Sequence, residues 1–310
     1  MKTWKMLEKR NLLFLVSAVI VLIGVGLMAN RALHNQSVLT FGIDFTGGSS
    51  ILIKFDGLSQ QLLAPNVDKN AVGSVFTAKV RQVMDRGGVK SSSIQMTSDK
   101  EILIKAEVLN ENRRAALLKQ FEQDLGTLEL LEVDMIGPSV GAELRGKSLL
   151  IVGAVMIALL LYITWRFQFA FGVGALASLA HDTCMFIALA SIFHLEINTE
   201  FVAALLTVLG YSLNDTIVVF DRVRENLPKI SQYGNTITLI NQSIMQTFSR
   251  TINTVVTVLL VISALLIFGG STIKPFSLVL FIGVLVGTYS SIFIASPVLY
   301  LLLKRQKTLR

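Results

Sequence analysis

Residues 251–273, TINTVVTVLLVISALLIFGGSTI, contain no charged side chain, and this run decides the class of fold. A transmembrane helix needs about 20 mostly apolar residues, and the run has 23. Beyond a single lysine, Lys274, residues 275–303 are again free of charge. Two such runs separated by one lysine predict two consecutive membrane-spanning helices joined by a short loop.

Four more stretches towards the N-terminus are long and apolar enough to cross a membrane. They are residues 11–30, 148–165, 167–195 and 201–220. Asp182 and Asp215 are the only charges inside them. The first run exceeds the roughly 7–15 apolar residues of a signal peptide, so we interpret it as an uncleaved anchor. The sequence therefore predicts a polytopic α-helical membrane protein with six transmembrane helices.

The composition agrees with a membrane protein and argues against a soluble one. Charged residues make up 16% of the chain, hydrophobic residues 52%, and the mean hydropathy is +0.62, whereas soluble domains contain about 25% charged residues. The net charge is +7, but residues 31–147 carry 14 basic and 14 acidic side chains. The excess therefore lies in the membrane part and its loops. Since a nucleic-acid partner needs a basic cluster on a soluble domain, none is expected.

Basic residues in the tails and short loops predict the orientation. Lys274 is the only one in the short loops of one side, and the other side has twelve. The twelve are Lys2, Lys5, Lys9, Arg10, Arg166, Arg222, Arg224, Lys229, Lys304, Arg305, Lys307 and Arg310. Because cytoplasmic loops carry the excess of lysine and arginine, both termini are expected in the cytoplasm.

These features divide the chain into three parts. Residues 1–31 form the cytoplasmic N-terminus and first transmembrane helix, residues 32–146 an outer, periplasmic domain, and residues 147–310 transmembrane helices two to six with a cytoplasmic C-terminus. A cytoplasmic amphipathic connector is predicted at about 221–250, because apolar residues within 237–248 recur at helical spacing. Both a helix lying in the membrane interface and an ordinary helical connector fit this spacing.

The outer block has the pattern of an α+β domain. The spacing of its apolar residues predicts strands at 49–55, 92–97, 101–107 and 128–135 and helices at 67–86 and 110–125. The order βαββαβ is typical of a ferredoxin-like domain. The whole chain has one cysteine and three scattered histidines, so neither a metal site nor a bound cofactor is expected.

Two patterns that suggest enzymes are outweighed by their context. Residues 141–148, GAELRGKS, match the P-loop pattern, but a predicted membrane span follows them and no acidic Mg²⁺ partner does. Asp182 and Asp215 are two aspartates within membrane spans, as in intramembrane aspartyl proteases. Residues 212–214, however, read SLN instead of the Gly-x-Gly of those enzymes. We therefore expect no catalytic residues and no enzyme activity.

Charges inside the membrane indicate the functional site, because a charged side chain at a helix centre costs about 2.5–3.5 kcal/mol to insert. Asp215 and Arg250 lie at similar depths of the fourth and fifth spans, and polar side chains share their helix faces. These side chains are Thr207, Tyr211 and Asn214 on the fourth span and Gln246, Asn253, Thr254 and Thr257 on the fifth. Burial favours a neutral carboxyl and a nearby guanidinium a charged one. The pattern therefore predicts a proton relay of Asp215, Arg250 and Asp182 with a polar lining. The alternative is a static ion pair that only holds the helices together.

The sixth span is expected to pack closely against other helices. It carries Gly283, Gly287, Ser291 and Ala295, which are small residues at every fourth position. Such a face lets two backbones approach each other, either within the chain or against a partner. Pro297 predicts a kink towards the end of the same span.

Several motifs spread over almost the whole chain carry a family resemblance. They are FGIDFTGG at 41–48, IGPSVG at 136–141, the pair His181 and Asp182, GYSLNDTIVVFDR at 210–222, SRT at 249–251 and GTYSS at 287–291. With these motifs the chain resembles the SecF family, the smaller of the paired SecD and SecF subunits of the bacterial protein-export machinery.

The resemblance implies one six-span half of a resistance-nodulation-division-type transporter in the bacterial cytoplasmic (inner) membrane, with SecD supplying the other half. It also implies that proton flow moves outer domains that pull unfolded preprotein from the SecYEG channel. YajC and membrane lipids are the further partners expected, and protons replace any cofactor. By motif, Asp215 would bind the proton with Arg250 as its charged partner, and Asp182 would assist. Gly42, Asp44, Gly47 and Gly48 would shape a turn at the base of the outer domain.

Two other functions fit the residues taken without the resemblance. One is a proton-driven exporter half of the same superfamily that moves lipid or drug. The other is an assembly factor of the translocon whose membrane charges are purely structural. The single small outer block argues against a self-sufficient exporter.

Overall fold

The computed structural model describes residues 6–64, 68–97, 99–166, 168–270 and 272–308. Lys2, Lys5 and Arg310, three of the basic residues that predict the orientation, lie outside these ranges. The chain forms two compact units, residues 41–149 and residues 1–40 with 150–310. A turn of 3₁₀ helix at Leu7–Lys9 leads into helix α1 (Arg10–Leu33), which belongs to the second of these units.

The unit of residues 41–149 contains a four-stranded sheet and its helices. Its elements are α2 (Ile43–Thr46), β1 (Gly48–Phe55), α3 (Asp56–Leu63), α4 (Lys69–Arg86), β2 (Ser91–Met96), β3 (Ile102–Ala106), α5 (Glu111–Leu125) and β4 (Leu128–Ile136). The strand order is β2-β3-β1-β4, and all three pairings are antiparallel. The four predicted strands are therefore present. Helix α3 is an addition that follows β1 directly. Val67, where the first of the two predicted helices begins, lies outside the described residues.

Alternation of side chains builds the core of this unit. Ile51, Ile53 and Phe55 of β1 point to one face of the sheet and are fully buried, as the period of two in a strand requires. Phe121 of α5 packs edge-on against Phe55, with ring centroids 6.0 Å apart. Helix α5 begins at Asn110, whose side-chain oxygen accepts a hydrogen bond from the Arg113 amide at 2.9 Å and so supplies one of the partners that a helix start lacks.

The second unit contains the remaining helices. They are α6 (Pro138–Arg166), which starts in the first unit, then α7 (Phe169–Phe193), α8 (Thr199–Asn226), α9 (Ile230–Tyr233), α10 (Thr236–Phe268), α11 (Ile273–Ser290) and α12 (Ser296–Thr308). Within the described residues, six helical stretches are long and apolar enough to cross a membrane. The prediction of six spans is confirmed.

Helix α8 lies at the centre of the membrane unit and packs against α7, α10 and α11. Gly283 of α11 has no room for a side chain, because an added Cβ would lie 2.5 Å from Phe186 Cζ and 2.6 Å from Val208 Cγ2. One turn later, a Cβ on Gly287 would lie 3.0 Å from the Cβ of Ser212. The small residues of the sixth span therefore meet α7 and α8 of the same chain, with Ser291 fully buried beyond them.

The sixth span changes its helical form before Pro297. A π-helical turn, Ser291–Ala295, joins α11 to α12. Proline lacks the amide hydrogen of a regular helical bond, and its ring crowds the carbonyl of the preceding turn. The wider π turn immediately before Pro297 relieves that crowding.

The stretch at 221–250 is mostly helical, and its place as a cytoplasmic connector stays a prediction. Helix α8 ends at Asn226, the short helix α9 follows, and α10 starts at Thr236 and continues without a break into the fifth span. Leu239, Ile240 and Ile244 are buried in the core of the membrane unit. The apolar face that predicted a connector is covered by protein in the structure, because it packs against neighbouring helices.

Residues 141–148, which match the P-loop pattern, lie inside helix α6. A regular helix has its amides bonded within itself, so they are not free to cradle a phosphate as a P-loop does. Lys147 pairs with Glu143 one turn earlier, at 2.6 Å. The structure therefore gives this pattern no nucleotide-binding form.

Candidate functional site

Asp215 is a buried carboxyl near the middle of α8. The helix is fixed at its start by Asn198, whose side-chain oxygen accepts a hydrogen bond from the Phe201 amide at 2.8 Å. Asp215 is 2% exposed, and its Oδ2 atom has no hydrogen-bond partner among the described residues. A buried carboxyl oxygen without a partner is costly, which marks this position as more than a packing site.

Arg250 of α10 is the cation that acts on Asp215. The two helices pack side by side, and the charge of Arg250 is within electrostatic range of the carboxyl. In the part of the chain that the structure describes, no ion pair or hydrogen bond joins the two side chains. Arg250 is instead largely exposed. The predicted partners therefore lie near each other without direct contact.

Four of the predicted lining residues divide between the interior and the surface. Tyr211, one turn before Asp215, is partly buried, and its hydroxyl has no hydrogen-bond partner among the described residues. The Thr254 hydroxyl donates to the Arg250 carbonyl at 2.9 Å, so it is engaged within its own helix. Asn214 and Asn253 are exposed on the surface of the chain.

Asp182 of α7 is the centre of a second buried polar cluster. Its side chain is fully buried, and Oδ2 accepts a hydrogen bond of 2.6 Å from the Ser212 hydroxyl of α8. The Ser212 oxygen also lies 3.4 Å from the Ser290 hydroxyl of α11, to which the Ser178 hydroxyl of α7 donates at 3.0 Å. His181 Nδ1 lies 3.3 Å from Asp182 Oδ1. Three helices therefore converge on one carboxyl.

None of the three serines in this cluster was predicted as a site residue, although Ser212 and Ser290 lie within the motifs at 210–222 and 287–291. Serine is common in membrane spans as a small packing residue, so Ser178, Ser212 and Ser290 alone carry no functional signal. Two spacings could have drawn attention to them, since Ser178 precedes Asp182 by one turn and Ser212 precedes Asp215 by one turn. The second spacing places the two carboxyl sites one helical turn apart along α8.

The two aspartates do not form a shared carboxyl pair. In the described residues, Asp182 is bonded to Ser212 and His181, and no hydrogen bond joins it to Asp215. An aspartyl protease needs two carboxyls that share one proton. The arrangement gives no support to that chemistry.

A polar network ties α8 to α10 beyond the relay residues. The Asn226 amide donates to the Ser243 hydroxyl at 2.8 Å and to Gln246 Oε1 at 3.0 Å. Arg222 Nε donates to the same Gln246 oxygen at 2.6 Å. These hydrogen bonds hold the two helices together between Asp215 and the end of α8.

The glycine motif lies at the start of β1, in the sheet unit of residues 41–149. Gly47 has a φ of +73° and Gly48 a φ of +149°, values that side-chain-bearing residues rarely adopt. A Cβ on Gly47 would lie 2.8 Å from the Cα of Pro138. Gly42 is buried just before α2, which contains Asp44. The motif therefore has a conformation that depends on its glycines.

Acidic side chains gather beside this motif. Partial burial raises the pKa of the Asp134 carboxyl above its ordinary value, and the nearby charges of Glu132 and Asp44 raise it further. Like charges disfavour the ionised form of a carboxyl. The Asp134 carboxyl, with its raised pKa, therefore stays protonated to a higher pH than an isolated aspartate.

Six candidate spans, one sheet unit and buried carboxyls on the adjacent helices α7 and α8 define a polytopic membrane protein. The model of "Protein export membrane protein SecD/SecF, C-terminal" matches residues 116–305, and the "SecD/SecF GG Motif" matches residues 37–57. The chain belongs to the SecD/SecF family. The matched regions include Asp182, Asp215 and Arg250 in the first case and Gly47 with Gly48 in the second.

Relatives and solved structures agree with this assignment. The chain is 34% identical to "Protein translocase subunit SecF" of Sebaldella termitidis over 98% of its own length and 93% of the relative. It is 38% identical to the SecF of Thermodesulfovibrio yellowstonii, with 96% and 93% covered. The crystal structure of SecDF, a translocon-associated membrane protein from Thermus thermophilus, superposes with a TM-score of 0.79 at 32% identity. The match covers 96% of this chain but only 38% of that longer one.

Proposed function

We propose that this chain is a subunit of the Sec protein-export machinery that pairs with SecD and uses proton flow to drive late preprotein translocation. The main support for the proposal is Asp215, a buried carboxyl with one oxygen that lacks a hydrogen-bond partner among the described residues. It lies within electrostatic range of Arg250, in a chain of the SecD/SecF family. The proposed part is that of a transport subunit that is not an enzyme and needs no cofactor other than the proton.

The pairing with SecD is supported by the length of the solved neighbour. The chain spans 38% of the SecDF polypeptide, and that longer chain therefore contains a large portion with no counterpart here. A separate SecD subunit would supply the corresponding portion. SecYEG, unfolded preprotein, membrane lipids and YajC complete the proposed set of partners.

The proposed place of the chain is the bacterial inner membrane, with both termini in the cytoplasm. The excess of basic residues on one side of the spans supports this orientation. The sheet unit would then lie in the periplasm. Its antiparallel order β2-β3-β1-β4 supports the ferredoxin-like assignment, because the element order βαββαβ is kept once α2 and α3 are set aside.

In the proposed relay, a proton adds to the Asp215 carboxylate and leaves on the other side of the membrane. Desolvation in the helix core favours the neutral carboxyl, whereas approach of the Arg250 guanidinium favours the ionised one. A movement of α10 relative to α8 would change the distance between these two groups. About 2.3 kcal/mol per charge is available from each 100 mV of membrane potential.

The proposal can be tested by measuring proton flux and preprotein export in vesicles that contain SecD and the translocon. We expect Asp215→Asn to abolish proton flux and the export step that depends on it, since the amide cannot gain or lose a proton. Arg250→Met should leave the proton on Asp215 and also stop the cycle. Glu225→Gln is the matched control, because Glu225 lies on the same helix with its side chain 61% exposed.

Wild-type proton flux and export by assembled Asp215→Asn and Arg250→Met proteins would overturn the relay and favour an assembly factor with structural charges. Proton flux without preprotein export, even with SecD and the translocon present, would favour an exporter of lipid or drug. Co-purification with SecD separates a paired subunit from a lone exporter.

A further inference from the structure

We propose that Ser212 couples protonation of Asp182 to the sixth span by redirecting a single hydroxyl hydrogen. The inference deepens the proposed function and depends on it only for the source of the proton. Ser212 is fully buried, and three oxygen atoms surround its hydroxyl. They are Asp182 Oδ2 at 2.6 Å, the Gly287 carbonyl at 3.4 Å and Ser290 Oγ at 3.4 Å.

A serine hydroxyl has one hydrogen to donate, so it can satisfy only one of these acceptors at a time. The 2.6 Å separation is typical of a hydroxyl that donates to a carboxylate. The two longer separations are at the limit of a hydrogen bond. In the observed arrangement, the Ser212 hydroxyl therefore donates to Asp182 and makes at most a weak hydrogen bond to the sixth span.

Addition of a proton to Asp182 reverses this preference. The new O–H of the carboxylic acid becomes the donor, and the Ser212 oxygen becomes its acceptor. No other covalent bond changes. The Ser212 hydrogen is then released for the Ser290 oxygen, because the Gly287 carbonyl already accepts from the Ser290 hydroxyl at 3.1 Å and from the Ser291 amide. The hydrogen bond from α8 to α11 therefore strengthens when the proton arrives.

The receiving end of this hydrogen bond is positioned to respond. Gly287 and Ser290 are in the last turn of α11, and the π-helical turn Ser291–Ala295 follows directly. A π turn holds its backbone less regularly than an α-helix and is frequent at functional sites. The absence of a side chain on Gly287 allows the Ser212 side chain to approach this turn closely.

Few charged groups compete for the proton at this point. His181 faces Asp182 from the same helix. From α11, the Tyr289 ring lies 6.0 Å from the His181 ring, and the Tyr289 hydroxyl donates to the Leu13 carbonyl of α1 at 2.8 Å. Asp215 lies one turn along α8, with Arg250 beyond it. In the described residues no lysine or arginine forms an ion pair with Asp182.

Amide hydrogen exchange of residues 287–296 tests the coupling without any measurement of transport. Asp182→Asn places a neutral, hydrogen-donating group at the position of the protonated acid. We expect it to slow exchange in this segment about 2- to 10-fold, the range that corresponds to one net hydrogen bond. In a Ser212→Ala background the same substitution should leave the exchange rates unchanged.

Ser277→Ala is the matched control for the serine. Ser277 is fully buried on the same span, and its hydroxyl has no hydrogen-bond partner among the described residues. In the Ser277→Ala background, Asp182→Asn should still slow the exchange. It should also slow the exchange in a Ser212→Thr background, because threonine keeps the hydroxyl. If Asp182→Asn does not assemble, the same test can be made by varying the pH. The pH dependence of amide exchange in residues 287–296 is then compared between the wild-type protein and Ser212→Ala.

An exchange response that is the same with and without the Ser212 hydroxyl overturns the coupling. So does the absence of any response in residues 287–296 when Asp182 is neutralised. The outcome is separate from that of the relay, because Asp215→Asn addresses proton flux whereas these variants address a hydrogen bond between α8 and α11.

Discussion

Replacement of Gly24 by alanine is expected to weaken the contact between α1 and α7. Gly24 is one of two buried residues of α1. A Cβ at this position would lie 2.6 Å from both the Cα and the Cβ of Ala188 and 3.0 Å from the Ala188 carbonyl oxygen. Two of these atoms are backbone, which cannot turn aside as a flexible side chain can. The helices would have to separate by about 1 Å to restore an ordinary carbon–carbon separation of about 3.5–4.0 Å.

Gly26 provides the matched comparison on the same helix. An added Cβ there meets nothing within 4 Å. Both substitutions gain the same helix propensity, up to about 1 kcal/mol for glycine to alanine, so the difference between the two variants isolates the packing cost. Overpacking of a well-packed interior costs about 1–3 kcal/mol. Gly24→Ala should therefore be less stable than Gly26→Ala by about that amount.

Unfolding of the purified protein in detergent micelles measures this difference. The contact that should loosen with it is at the end of α1, where Arg31 Nη2 donates to the Ser191 carbonyl at 2.8 Å. Faster amide exchange around Ser191 in Gly24→Ala, but not in Gly26→Ala, would place the damage at this interface. Equal stability of the two variants would contradict the close approach of Gly24 to Ala188.

Two further predictions concern the sheet unit. Phe121→Ala should destabilise it by about 3–5 kcal/mol, because the ring is fully buried against Phe55. Amide exchange of β1 and β3 in the full chain should become faster in this variant. Glu122→Ala, at an exposed position, should leave the exchange unchanged. Asp134→Asn should stabilise this unit slightly at neutral pH, since the raised pKa of Asp134 means that its ionised form is disfavoured on folding. The gain should vanish as the pH falls through the titration of that carboxyl, when folded and unfolded chains are both protonated, and a gain that persists in acid would contradict the assignment.

The membrane fold was predictable because a single physical requirement dominates it. About 20 apolar residues are needed to cross a bilayer, and charges such as Lys147 and Lys274 limit the runs sharply. The sheet was predictable from the alternation in residues 49–55 and 101–107. The surroundings of residues 237–248 were not, because their apolar spacing is the same whether that face meets lipid or protein. Only the packing of α10 against its neighbours decides the matter.

The candidate site was predictable in its charges and not in its hydroxyls. A carboxyl or guanidinium within a span is conspicuous because it is costly, so Asp182, Asp215 and Arg250 could be singled out. A serine in a span has several ordinary uses, and the convergence of Ser178, Ser212 and Ser290 depends on how α7, α8 and α11 cross. Helix crossings arise from side-chain packing along the whole length of each helix.

The difference in hydrogen bonding between the two carboxyls indicates how they divide the work. Asp182 has a partner for each oxygen, Ser212 for one and His181 for the other. Asp215 leaves one oxygen without a partner in the described structure, although it is buried almost as deeply. A buried acceptor recovers its lost hydration only through a proton or an approaching donor. In the proposed relay, the unsatisfied Asp215 is therefore the carboxyl that gains most from binding a proton. Asp182, whose oxygens both have partners, is the one proposed to act on the sixth span through Ser212.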